Sequence, residues 1–415
     1  MKKLLLTLLV VLVCPLLSQG WGFFGHRTIA QLSVYALPSP MRSFYFRHMA
    51  ELVKRSTAPD ERREADPSEA PRHFIDMDHF GDNPFGLMPK TWDKAVAKYT
   101  ADTLRKYGTV PWTVMDVKEQ LTEAFRKRDT VAIITLSADL GHYIGDAFVP
   151  LHTTENYDGQ LTKQEGIHSL WESKLPERFI AKYKLDAEAG KYLKDPQSSI
   201  WEVVQESYGF LGATFDLEED VTRKYTPETK YVFSHKYGKT RRAYSDDFAD
   251  AYHEKVGGQV AYRLKGAPTL VASMWMTAWR DAGSPDLNAL LTKKPSKEEK
   301  EKLALELKAF DKNELVSQQI LLALQKEKVE ARPDLINAAK DMAPIVDEPA
   351  PAPAVPAGSP IPGAPAVPAG TNKVKVKTKA PDAPVQKEKT KTEQPAKKKK
   401  KASSDGWDTP AGSSW

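Results

Sequence analysis

The sequence predicts an all-α protein, on three observations. Apolar residues recur at helical spacing through the body of the chain, and alternating apolar–polar runs are scarce. Two histidine–carboxylate pairs also stand one helical turn apart within a 31-residue stretch. Apolar residues make up 41% and charged residues 28% of the 415-residue chain, a balance that suits a water-soluble protein with a sizeable core.

The first element lies outside that fold. Met1 to Gly20 opens with Lys2 and Lys3, runs apolar from Leu4 to Leu17 and closes on Ser18 and Gly20. This pattern predicts a signal peptide over 1–20, cut before Trp21, and hence export to the periplasm or the medium. The apolar run is short for a bilayer, so no integral membrane span is expected after cleavage. Cys14 is the one cysteine, and Val11, Leu12 and Val13 before it lack the small pair of a lipid-anchor site. The mature chain then has no disulfide, and its core must rest on size or on metal.

Residues 21–285 form the main domain and hold all nine histidines. "HRTIAQLSVYAL" places Ile29, Leu32, Val34 and Leu37 near one helical face. "YHEKVGGQVAYRLKGAPTLVASMWMTAWRDAG" reads as helical segments ending at Gly283. Residues 286–342 predict a charged helical extension, a helical pair on the body or a stalk. Residues 343–415, rich in proline, alanine and lysine, have too few large apolar side chains to offset ordering entropy, so a disordered tail is expected. Positions 372–401 carry twelve lysines against three acids, while the whole chain is only +5. The body by itself is therefore mildly acidic. The run Lys397 to Lys401 offers an anionic surface contact, although a solubilising tail is the plainer reading.

Chemistry gathers in "GHYIGDAFVPLH". His142 and Asp146, four apart on a helix, share one face and can grip one ion. Pro150 interrupts the helix and lets His152 turn back toward that face. "GIHSLWESKLP" repeats the spacing with His168 and Glu172. A single such pair is usually a surface hydrogen bond. Two pairs bracketing a third histidine point to a metal, and nitrogen with oxygen donors suits zinc over calcium or magnesium. "WGFFGH" adds Trp21 and His26, and "PDERREADPSEAPRHFID" adds Asp60, Arg63 and His73. His48, His79, His235 and His253 sit in polar contexts and read as solvated or structural.

With these residues assembled, positions 21 to about 285 resemble the superfamily of zinc-dependent phospholipases C and single-strand-specific zinc nucleases of the S-one/P-one type. The resemblance implies a multi-helix fold and three zinc ions. It assigns Asp60, His73, His142 and Asp146 to one zinc, and His152, His168 and Glu172 to the second. Trp21, through its α-amine and carbonyl, joins His26 and a bridging Asp146 at the third. A free amine on Trp21 exists only after the signal is cut, so the exported form alone would complete the site. The implied reaction is hydrolysis of a phosphate ester by a zinc-bound hydroxide.

The same resemblance makes Asp60 the residue that orients the hydroxide or acts as general base. Arg63 becomes the phosphate contact, although a surface arginine beside Glu61 and Glu64 is nearly as good a reading. Phe74 and Asp76, in "HFID", resemble a base-stacking and base-reading pair. For substrate, Glu172, the fifteen-residue gap before His168 and the reduced glycine insertion "YDGQLTKQEG" lean toward phospholipase C. Phe24, standing where a choline-binding acid is expected, leans away from it. The expectation is a phospholipase C-like hydrolase, with a single-strand nuclease/3'-nucleotidase as the alternative. A non-catalytic zinc-binding envelope protein is the reading from another class, and the complete ligand set with Arg63 argues against it.

Overall fold

The computed structural model describes residues 22–63, 65–236 and 239–325. The signal segment, Trp21, positions 326–342 and the tail from 343 lie outside the described residues. Among those described, seven helices reach twelve residues or more. They are α1 (Phe23–Ala36), α2 (Val110–Lys127), α3 (Thr130–Ala147), α4 (Pro196–Gly209), α5 (Leu211–Thr222), α6 (Asp246–Asp281) and α7 (Lys297–Asp311). The all-α expectation holds, with one addition. Strands β1 (Tyr231–Lys236) and β2 (Lys239–Tyr244) form an antiparallel hairpin with Tyr231 opposite Tyr244. No described helix is long and apolar enough to cross a membrane.

Helices α2 and α3 form an antiparallel pair, turned by Arg128 in the left-handed region (φ 57°) and restarted by Asp129, whose side chain accepts from Ala132 N. α1 packs against α6 and α3, and is buried on nearly every side, Ile29, Leu32, Val34 and the following Leu37 included. The stretch read as several helical segments is one helix, α6, continuous through Gly257, Gly258, Gly266 and Pro268. Burial of its apolar length outweighs the hydrogen bond that Pro268 removes. It ends where expected, with Ser284 N bonded to Trp279 O and Gly283 at φ +88°.

α6 also shapes the end of α3. Arg263 donates from Nε to Phe148 O at 2.9 Å, and its guanidinium lies 4.4 Å over the Phe148 ring. Ser207 donates to Ala147 O at 2.6 Å. Gly266 is required here, since a Cβ on it would come 2.8 Å from Phe148 Cε1. The last carbonyls of α3 are thus satisfied and their negative end faces a cation.

Of the charged extension, α7 forms, and Phe310, Leu315 and Leu321 are buried. A second helix does not form within Glu314–Gln325. Asn313 and Gln319 take left-handed φ of 56°, and Gln31 on α1 exchanges side-chain hydrogen bonds with Ile320 O (3.1 Å) and Leu322 N (2.7 Å). Tertiary hydrogen bonds replace the helical ones.

Candidate metal centre

Seven elements deliver the nitrogen and oxygen donors. α1 brings His26, the short helix Ala58–Arg62 brings Asp60, and the 3-10 turn Ala70–His73 ends on His73. α3 carries His142 and Asp146 in its last two turns. It stops at Ala147, Val149 is extended, and Pro150 opens the 3-10 turn that swings His152 back. His168 precedes a single π-helical turn, Leu170–Lys174, which holds Glu172. Such wide turns inside helices are frequent at functional sites.

All eight side chains are buried, and their donor atoms converge in three groups: His26, His142 and Asp146; Asp60, His73 and His142; His152, His168 and Glu172. Around the second group, His73 Nδ1 lies 2.9 Å from Asp146 Oδ2, 3.1 Å from His142 Nε2 and 3.8 Å from Asp60 Oδ1. His142 Nε2 lies 3.3 Å from Asp146 Oδ2 and 3.8 Å from Asp60 Oδ1. His152 and His168 place their Nε2 atoms 3.5 and 3.0 Å from Glu172 Oε2. His26 Nε2 is 3.4 Å from Asp146 Oδ1. Tetrahedral zinc with bonds of about 2.0–2.1 Å sets its donors about 3.3 Å apart, so these spacings fit it.

Hydrogen bonding supports the same fit. Both nitrogens of His26 and His168, both oxygens of Asp60, Asp146 Oδ1, His152 Nε2 and Glu172 Oε2 are buried with no hydrogen-bond partner. Buried polar atoms are rarely left so, and cations in the three groups would answer the carboxylate oxygens and one nitrogen of each imidazole. The rings are also pre-set. His142 Nδ1 donates to Ser56 O at 2.8 Å and His152 Nδ1 to His73 O at 2.6 Å, which leaves each Nε2 lone pair facing its cluster.

Without a cation the site strains its own charges. Burial pushes Glu172 up to about 8 and Asp60 up to about 6. Burial drives His168 down to about 4 and holds His142 well below its ordinary value. Neutral imidazole is the ligating form, and a divalent ion would return the carboxylates to their charged form.

A cavity of about 400 Å³ opens onto this cluster, lined by Arg63, His73, Phe74, Asp76, Leu151, His152, Glu155, Tyr157, Gln160 and His168. It places Arg63, Phe74 and Asp76 beside the donors. Arg63 Nη1 lies 3.6 Å from Asp60 Oδ1. Asp76 is pushed up to about 7 by burial, with Asp78 and Glu155 adding to the shift. Trp21 lies outside the described residues, and Gly22 beside it packs on Ser173, the neighbour of Glu172. His48 lies against Phe44, His79 stacks on Tyr107 and pairs with Glu155 at 2.9 Å, and His253 stacks on Phe179. None of these three joins a donor group among the described residues.

The sequence reading missed Tyr157 and Gln160, which it treated only as the remnant of an insertion, and it missed Glu69. Glu69-x3-His73 repeats the very spacing that exposed the other pairs.

The S1/P1 Nuclease family model matches residues 21–275, more than half of the chain. The chain belongs to the S1/P1 nuclease family. Nuclease S1 of Aspergillus oryzae is 24% identical over 202 residues, which cover 45% of this chain and 64% of that relative. The S1/P1 nucleases are zinc-dependent phosphodiester hydrolases. The match favours the nuclease alternative over the phospholipase C-like reading, which rested on Glu172 and a short loop. Glu172 would offer an ion the same oxygen as aspartate on a stem one methylene longer, and it does not line the neighbouring cavity.

Proposed function

We propose that this protein is an exported nuclease that hydrolyses phosphodiester bonds in single-stranded nucleic acid, using three zinc ions. The observation that carries the reading is the shared cavity, in which the donor cluster adjoins a guanidinium (Arg63), a half-buried aromatic ring (Phe74) and a buried carboxyl (Asp76). Asp60, His73, His142 and Asp146 would hold one ion, His152, His168 and Glu172 a second, and His26 with Asp146 and the Trp21 terminus a third. Zinc supplies a nucleophilic water near neutral pH and a Lewis acid for the phosphoryl oxygens.

The protein's own groups do the rest. Arg63 pairs with the phosphate in a charge-assisted contact. Asp60 orients the attacking water through its second oxygen. Phe74 stacks on a base, which requires an unpaired strand and so disfavours duplex. Asp76, with a pKa near neutrality, can accept from or donate to a base edge according to pH.

The test compares single-stranded DNA, RNA, duplex DNA and phospholipid vesicles, each with chelator and after zinc return. Zinc-dependent cleavage of single strands, well above duplex, is the expected result. Faster turnover of phospholipid than of any nucleic acid would overturn it.

A further inference from the structure

His73 has a carboxylate on each side of its ring. Nδ1 faces the donor cluster, 2.9 Å from Asp146 Oδ2. Nε2 points away from it, 3.5 Å from Glu69 Oε1, within ion-pair reach though not in a formed hydrogen bond. Glu69 is 3% exposed, and a carboxylate at that depth persists only with partners. Arg62 Nε lies 3.4 Å and Arg72 Nη1 3.5 Å from Glu69 Oε2, and the Tyr143 hydroxyl donates to Oε1. Arg62 is itself held by Asp139 through two hydrogen bonds of 3.2 and 3.1 Å, and it donates to Tyr143 Oη at 3.2 Å. Arg72 lies 4.8 Å over the Tyr143 ring.

Asp139 and Tyr143 are four residues apart on α3, interleaved with His142 and Asp146. One helix therefore offers His142 and Asp146 to the donors, and Asp139 and Tyr143 to the network behind His73. The adjacent arginines divide in the same way. Arg62 turns to Glu69 and Asp139, while Arg63 lines the cavity.

The structure assigns Glu69 as a positioning residue that holds His73 protonated on Nε2 and so turns the Nδ1 lone pair toward the metal, an assignment that rests on the zinc reading above. This tautomer is opposite to that of His142 and His152, whose Nδ1 protons go to backbone carbonyls. A carboxylate behind a ligating imidazole fixes its orientation and raises its basicity. Three ions with one histidine of the other tautomer need such a device, because Asp146 Oδ2, 2.9 Å from His73 Nδ1, would otherwise keep the proton on that nitrogen.

The experiment has two arms, neither reading turnover. In the zinc-loaded wild type, long-range proton–nitrogen correlation spectra should show His73 protonated on Nε2 and His142 and His152 on Nδ1. In Glu69→Gln, zinc affinity measured by chelator competition should fall 10–100-fold for one ion, and the visible spectrum of the cobalt-substituted protein should change. Tyr143→Phe, which cuts the same network one bond further away, should lower the melting temperature but keep zinc affinity within about threefold. His73 protonated on Nδ1, or wild-type zinc affinity and an unchanged cobalt spectrum in Glu69→Gln, would overturn the assignment. Failure of the nuclease reading would show instead as absent cleavage by a protein that still binds zinc in this way.

Discussion

His152 donates its Nδ1 proton to the backbone carbonyl of His73 at 2.6 Å, joining two donor residues 79 positions apart in sequence. Ile75 N returns a hydrogen bond to His152 O at 2.9 Å. The segment that carries His73, Phe74 and Asp76 is therefore stitched to the turn after α3, and the two ends of the cavity share one backbone anchor.

Removing that anchor should disturb both ends. His152→Ala is expected to lose about one zinc per chain and to lower turnover of single strands by at least roughly 100-fold. Elemental analysis and steady-state rates check this together. A variant that keeps the full zinc content would show that His152 is not a ligand.

Stripping the metal should cost stability. An ion present at about 1,000 times its dissociation constant contributes about 4 kcal/mol, and a domain of this size shifts by roughly 2–4 °C per kcal/mol. Prolonged chelation should then lower the melting temperature by more than about 10 °C, since both oxygens of Asp60 and Glu172 Oε2 are left buried without a hydrogen bond. An unchanged melting temperature would contradict metal binding by these atoms.

Asp76 gives a pH signature. Burial, with Asp78 and Glu155 beside it, raises its pKa to about 7 in the folded chain, against 3.8 ordinarily. Between those values the native state holds a proton that the unfolded state has lost, so this group's contribution falls as pH rises through the window and levels off above it. Asp76→Asn removes the effect. It should match the wild type in denaturant stability near pH 4 and exceed it near pH 8, by on the order of 1–3 kcal/mol. Equal stability at both pH values would refute the buried-carboxyl account.

Gly22 tests the route to the Trp21 amine. A Cβ there would meet Ser173 Oγ at 2.2 Å and Cβ at 2.9 Å, although its φ of −44° is open to any residue. Gly22→Ala should displace the chain start and weaken one zinc, and Gly22→Ala with Ser173→Gly should restore it. A retained methionine before Trp21 should weaken the same ion, because it converts the amine to an amide. Zinc binding indifferent to all three changes would remove the terminus from the site.

Much of the centre was legible because its spacing is local. His142 with Asp146 and His168 with Glu172 need only one helical turn, and Pro150 announces the break that returns His152. What escaped depends on distant partners. The π-helical turn under Glu172 has no sequence marker, and Gln31 unmakes the second extension helix from nearly 300 positions away. The hairpin at Tyr231–Tyr244 was readable in hindsight from its aromatic and β-branched residues. Glu69 was readable outright, since its spacing to His73 is the one already in use, but an acid in a charged run attracts no attention until a histidine is known to be inside.

The clamp of α6 on the end of α3 bears on how long the protein keeps a cargo once loaded. His142 and Asp146 sit where Arg263 of the 36-residue helix α6 and Ser207 of α4 bond the Phe148 and Ala147 carbonyls. Segments packed this way open only in rare, large fluctuations. Ions held as proposed by His142 and Asp146 would then lose those two ligands only as often as that turn opens. In surroundings poor in zinc, their exchange would be paced by the scaffold as well as by affinity.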